Sequence, residues 1–441
     1  MDMNIESAVE KLDTRAQALR SQLAYASRAF VIEFAGTPKS GKSTAVEAIR
    51  HFLSRSGFRV HVLTERAALC PIPMKGHLFF NTWCATSMLA ELLENVETET
   101  DVIIVDRGLF DALVWMTLQE RRGELTSDEA RAIEAFLLLD RWRTLIDLAV
   151  VMNVSADEAL LRETAQRITR KSGSIMNPEV LAAISDSVQE AITRHGRRFA
   201  AIIDHKTTGR KVRESNVDLA SKVLDCLKEF LNPEILVVPR HEIERLPLGA
   251  GGTFGNAAVE SAHRCVRDYG RFMRRAEAEV SPDFIQIVPC GLLSYDGQVF
   301  LFQRKETDPK YALYGRTTIW QGCHVTRAGG SDTEALLRGS LQERVSRSLF
   351  LSRVFPIEPL GYCWDREGPH SSRHFGVVYR IRIDNPHTAV DLRKKEFRKR
   401  RGQGMIGRFD DIGELVAKQD ELNLESWSRA ILTHLRSGRL V

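Results

Sequence analysis

Val31-Ile32-Glu33-Phe34-Ala35-Gly36-Thr37-Pro38-Lys39-Ser40-Gly41-Lys42-Ser43-Thr44 decides how this chain is read. It fits the pattern G-x-x-x-x-G-K followed by Ser or Thr without a mismatch. It also follows an apolar, strand-like run and precedes an amphipathic helix expected from Ala45 to Phe52. Strand, loop and helix in that order make the stretch a phosphate-binding loop. Gly36 and Gly41 permit the positive φ angles and close approach that let consecutive backbone N–H groups surround a polyphosphate, and the helix adds its positive N-terminal end. Lys42 is expected to reach the β- and γ-phosphates and the Ser43 hydroxyl to ligate Mg²⁺.

The rest of the composition sets limits. With 441 residues the chain is too long for one ordinary domain, and two or three are expected. Hydrophobic content of 43% and charged content of 27% allow sizeable cores. A net charge of +4 is too small to argue for a nucleic-acid partner. The apolar runs Val102–Val105 and Leu148–Met152 fall far short of a membrane span, so no membrane association is expected. Met1 to Arg28 reads as a charged amphipathic helix rather than a signal peptide. The seven cysteines are scattered without a C-x-x-C pair or a disulfide rhythm, and a reducing cytoplasm is the expected compartment.

From Ala29 to about Asn232 short apolar runs alternate with helical periods, the pattern of an α/β fold with a parallel sheet covered by helices on both faces. Strands are expected near Phe30–Ala35, Arg59–Thr64, Asp101–Asp106, Leu148–Asn153 and Ile202–Asp204. Ligands of such sheets bind at the carboxyl ends of the strands. Three charged positions lie there. Glu65 would orient or deprotonate an acceptor hydroxyl, or hold a substrate, or is a solvated loop acid. Asp106 would hold a Mg²⁺ shell and Arg107 neutralise a transferring phosphoryl group, unless Asp106 only caps a helix. A basic helix from Leu160 to Lys171, with Arg162, Arg167 and Arg170, would close over the phosphates, or presents a solvated face.

Glu33, the loop, Thr64-Glu65, Asp106-Arg107 with Asp111-Ala112, and the arginine-rich segment resemble the P-loop kinases of the thymidylate kinase and deoxynucleoside kinase group, over residues 29–232. The resemblance implies that Gly36, Thr37, Pro38, Lys39, Ser40, Gly41, Lys42, Ser43 and Thr44 bind the donor phosphates of ATP. It places Asp106 and Arg107 by metal and acceptor, Arg167 and Arg170 on a lid, Glu65 towards the acceptor, and Phe79, Asn81 and Trp83 around its base. A homodimer is implied by the same likeness. Arg66 stands where these kinases usually have Pro, and Pro38 and Lys39 make the loop interior unusual. No N-K-x-D guanine motif occurs in the chain.

Val217 to Leu231 reads as a helix stopped by Asn232-Pro233, after which 233–279 is expected to connect to a second domain over 280–441. Leu248 to Gly255 is glycine-rich and reads as a flexible loop. Phe284–Leu293, a turn at Asp296-Gly297 and Gln298–Arg304 read as a hairpin. With Ile319–Val325 and a helix from Thr333 to Leu349, this α+β region resembles a Nudix hydrolase domain, whose helix carries glutamates that hold Mg²⁺ against a diphosphate. Setting Arg338 on the arginine of that family's box puts Gly339, Gln342 and Glu343 on its clustered glutamate positions, so one carboxylate remains. A lone carboxylate beside Arg344 is poorly suited to hold divalent ions, and a catalytically inactive fold that binds nucleotide or mediates assembly is expected. The basic run Arg393–Arg401 reads as a solvated loop, and His370 and His374 lie near no evident ligand cluster. The expected function is Mg²⁺-dependent phosphoryl transfer from ATP to a nucleoside or nucleoside monophosphate. The alternative is a nucleotide-sensing regulatory ATPase without a small-molecule acceptor.

Overall fold

The structure, a computed structural model, describes residues 5–23, 26, 28–73, 77–96, 100–166, 175–249, 251–303, 313, 315–327, 332–349, 355–368, 371–384 and 407–436. The chain divides into two compact units, Met1–Leu231 and Asn232–Val441.

The first unit runs α1 (Ile5–Arg20), β1 (Phe30–Gly36), α2 (Lys42–Arg55), β2 (Val60–Leu63), α3 (Leu78–Asn95), β3 (Val102–Asp106) and α4 (Leu109–Arg121). It continues through α5 (Ser127–Leu137), α6 (Asp140–Arg143), β4 (Leu148–Asn153), α7 (Ala156–Gln166), α8 (Pro178–His195), β5 (Ile202–Lys206) and α9 (Val212–Leu231). The five strands are parallel in the order β2-β3-β1-β4-β5. Both faces are covered, which explains the unbroken apolar runs of β1, β3 and β4. Val31, Ala35, Ile103, Val105, Ala149 and Val151 pack under α3, α4 and α8, while Phe30, Ile32, Phe34, Ile104 and Val150 pack under α1, α2 and α9. A buried bidentate pair between Arg28 and Asp147, both contacts at 2.5 Å, clamps the start of β1 to that of β4, and Asp147 also accepts from the Val31 amide. β1 is central in this sheet, with its carboxyl end at the point where the chain turns to either side.

The second unit comprises β6 (Glu234–Pro239), α10 (Arg240–Glu244), β7 (Gly252–Phe254), α11 (Asn256–Tyr269), β8 (Arg271–Arg274), α12 (Arg275–Val280), β9 (Phe284–Tyr295) and β10 (Gln298–Gln303). Then follow β11 (Thr317–Thr318), β12 (Gln321–Gly322), α13 (Thr333–Leu349), β13 (Ile357–Cys363), β14 (His374–Arg382), β15 (Gly407–Asp411), α14 (Ile412–Ala417) and α15 (Ser426–Arg436). The strands form one mixed sheet in which β9 and β14 are parallel and the other pairs antiparallel. The β9–β10 hairpin turns at Asp296 and Gly297, both with positive φ.

Two expectations are corrected here. Residues 233–279 are part of the second sheet rather than a connector, because β6 pairs with β8 and β9. The glycine-rich stretch Leu248–Gly255 is not wholly a flexible loop, since β7 pairs with β13. Gly252 owes its place to size: a β-carbon there would lie 3.0 Å from the Tyr362 carbonyl oxygen and the Cys363 sulfur. No helix among the described residues is long and apolar enough to cross a membrane.

Candidate functional site

The loop is built from both sides. At Gly36 φ is 121°, and a β-carbon would lie 2.0 Å from the carbonyl oxygen of Met152 on β4, so only glycine fits. Lys39 and Gly41 also take positive φ, and Gly41 caps α2. The Thr37 amide donates to Met152 O at 3.0 Å, and its hydroxyl accepts from the Val154 amide at 3.1 Å. Thr207 Oγ1 donates to Ser40 O at 3.0 Å, Arg162 Nη1 to Lys39 O at 2.9 Å, and Lys39 Nζ pairs with Glu163 at 2.8 Å. Arg162 is thus a strut of the loop. Pro38 is buried, Ser43 and Thr44 are exposed on the first turn of α2.

Lys42 is 6% exposed and donates to the carbonyls of Gly36 at 2.9 Å and Thr37 at 2.6 Å. Burial, and then the nearby Arg107 guanidinium, pull its pKa down to about 7.

At the end of β3, Arg107 takes a left-handed conformation (φ 63°) and joins three elements. Its Nε lies 2.8 Å from Glu65 Oε1, beyond β2, and its Nη1 3.0 Å from Asp111 Oδ2 on α4. Asp111 Oδ1 in turn accepts from the Gly36 amide at 3.0 Å. A continuous polar chain therefore runs from Glu65 through Arg107 and Asp111 to the phosphate loop. Burial works against the charge of Arg107, but Asp111 and Glu65 more than offset it and its pKa rises. Glu33, wholly buried on β1, accepts from the amides of Gly108 and Asp111 and so caps α4. Asp111 enters the sequence reading only as part of a likeness; its i,i+4 spacing from Arg107, the pairing the structure shows, is a sequence signal of this role.

Asp106 is raised above the ordinary carboxylate range, mainly by burial. A hydroxyl on α2 and a buried carboxylate at the end of β3 are hard oxygen donors, and a cation beside Asp106 would favour its ionised form. Ser43 and Asp106 therefore fit a hydrated Mg²⁺.

On α3, Phe79 is 65% exposed, Asn81 is buried and Trp83 half-buried. Arg66 forms an ion pair with Glu91, which ties the end of β2 to α3. Cys84 lies beside Cys70 with its thiol pushed up to about 12, mainly by burial and then by Cys70. Arg167, Arg170, His370 and Arg393–Arg401 lie outside the described residues.

In the second unit Arg338 donates to the Ile357 carbonyl at 3.0 Å and pairs with Glu334 at 2.5 Å, a structural use of the position. Glu343 is exposed on α13, and Gly339 faces open space. Contrary to the reading of His374 as remote from any ligand cluster, it lies with Glu279 and His324, the three ligand atoms within 4.8 Å of one another. The three residues come from distant parts of the sequence, and no local spacing announces the cluster.

Residues 3–67 match the family described as methylmalonyl-CoA mutase-associated GTPase MeaB. Protein YmaB of Bacillus subtilis is 24% identical over 212 residues, 45% of this chain and 95% of YmaB. Among solved structures, deoxyadenosine kinase from M. mycoides is 17% identical with a TM-score of 0.35, covering 44% of this chain and 99% of its own. Tm1382, described as a Nudix hydrolase, is 22% identical with a TM-score of 0.35, covering 46% of this chain and 99% of its own. What this chain has by its own geometry is a glycine-bearing phosphate-loop motif between β1 and α2, at the carboxyl end of a five-stranded parallel sheet covered by helices on both faces.

Proposed function

We propose that the first unit transfers the γ-phosphoryl group of ATP, with Mg²⁺, to a nucleoside or nucleoside monophosphate. The observation that supports this reading is the chain Glu65–Arg107–Asp111–Gly36, which couples the Glu65 carboxylate to the backbone of the phosphate loop. Phosphoryl transfer demands positioning and neutralisation of charge rather than a covalent intermediate. Loop amides and Lys42 would hold the β- and γ-phosphates, whose negative charge favours the ammonium form that burial disfavours. Mg²⁺ on Ser43 and Asp106 would neutralise the phosphates. Arg107 would stabilise the transferring group, while Glu65 orients the acceptor hydroxyl. Arg167 and Arg170 would act from the lid, and Phe79, Asn81 and Trp83 would line the base.

The second unit is read as a Nudix-like fold without hydrolase activity. Gly339 and Gln342 replace two of three clustered glutamates, and Arg338 is committed to structure.

The test is acceptor-dependent ADP formation by the full chain with a panel of nucleosides and monophosphates. Lys42→Ala is expected to reduce it by about 100-fold or more, the scale of removing one charge-stabilising donor. Unchanged product formation would reject the assignment. The MeaB match favours a second reading, a regulatory GTPase; GDP release that needs no acceptor would put it in place of the kinase. Mg²⁺-dependent release of phosphate or pyrophosphate from nucleotides by the Lys42→Ala chain would overturn the inactive reading of the second unit.

A further inference from the structure

We propose that Glu279, His324 and His374 bind a divalent transition-metal ion, zinc by preference. Their ligand atoms lie within 4.8 Å of one another, and His374 is 3% exposed. A tetrahedral zinc site with ligands at about 2.0–2.2 Å places them roughly 3.3 Å apart, so closure around an ion needs side-chain adjustment rather than a new backbone.

Strand alternation shows which face of the second sheet carries the cluster. Phe375, Val377, Tyr379 and Ile381 of β14 pack in the core that receives Leu337 and Leu341 of α13. His374 shares the other face with Val378. In the parallel ladder His374 stands opposite Gln286 of β9, so both side chains leave the sheet on that second face. Val237 of β6 also pairs with Gln286 and packs against Ala278 of α12, which brings Glu279 to the same side. The cluster is thus on the face opposite α13 and its remaining glutamate.

Gln286 provides an independent observation. It is fully buried, and neither its Nε2 nor its Oε1 has a hydrogen-bond partner in the protein. A buried amide with both ends unmet costs free energy and marks a place where a further polar species belongs. Three protein ligands leave a fourth position on a tetrahedral ion open to water, a hydrogen-bonding species that the neighbouring amide could meet.

The donor set fixes the class of ion. Two imidazoles and one carboxylate suit zinc and its neighbours, whereas Mg²⁺ and Ca²⁺ take oxygen donors. Arg275 Nε lies 3.5 Å from Glu279 Oε1, the kind of partner that holds a ligating carboxylate in place, and Arg373 donates to the main-chain carbonyl of Glu279.

The experiment uses the full chain, freed of metal by a chelator and titrated with zinc alone, without nucleotide or Mg²⁺. The wild type is expected to bind one zinc per chain, and cobalt(II) in its place to show the visible bands of a four-coordinate ion. Glu279→Gln and His324→Gln, on half-buried positions, should each weaken zinc beyond the ~10–100-fold typical of losing a supporting partner. Circular dichroism would confirm that both variants fold. Lys42→Ala should keep the ion. Failure of the wild type to bind, or binding of wild-type strength in both folded variants, would overturn the proposal.

Discussion

Glu33 shows how one buried carboxylate links the loop to the rest of the site. It is 0% exposed, and its Oε1 accepts from the Gly108 amide at 3.0 Å and the Asp111 amide at 2.9 Å, which holds α4, and with it Asp111, against β1. Burial outweighs these bonds and raises its pKa from 4.5 to about 7. A raised carboxylate contributes stability that is fully present below 4.5 and is lost as pH rises through about 7. Glu33→Gln keeps the accepting oxygen but cannot ionise. Between about pH 5 and about pH 8 the wild type should therefore lose up to about 3 kcal/mol relative to Glu33→Gln, read from urea midpoints at each pH. Parallel profiles would show that Glu33 does not titrate in this range.

At the scale of elements, the loop depends on how closely β1 and β4 meet at its base. A β-carbon on Gly36 would collide with the Met152 backbone, which has no flexible end to move aside. Gly36→Ala should therefore destabilise the protein by about 1–3 kcal/mol through strain at a special backbone position and remove the thermal shift that nucleotide gives. An unchanged melt with an intact nucleotide shift would contradict this account. The same elements explain what could be read in advance. β1, β3 and β4 are buried on both faces, so their sequences are continuous apolar runs, and α13 spans Thr333–Leu349, the bounds expected for it. The glycine pattern fixed the loop and its flanks. Gly252 misled, because a glycine that lets two strands approach looks the same in sequence as one that loosens a turn. Residues 233–279 misled for a related reason: β7 and β8 are only three and four residues long and take their identity from distant partners. The positions of Asp106 and Arg107 were legible because Asp106 ends an apolar strand and Arg107 directly follows it. Asp111, Arg162 and the Glu279–His324–His374 cluster act through contacts that form only once helices and strands are packed.

For the whole molecule, among the described residues every hydrophobic core draws its members from one unit alone. Residues 12–231 supply three cores and residues 235–432 the other three. Each unit can then unfold without exposing the other's core, and two calorimetric transitions are expected. A ligand that binds one native unit raises that transition by RT ln(1 + [L]/Kd), about 2.7 kcal/mol at about 100 times Kd. A non-hydrolysable ATP analogue with Mg²⁺ should move one transition only, and zinc alone only the other. Lys42→Ala should lose the first shift and keep the second, while Glu279→Gln should do the reverse. One transition displaced by either ligand would mean that the two units unfold as a single cooperative body, and the separation of nucleotide and metal chemistry argued from the cores would fail.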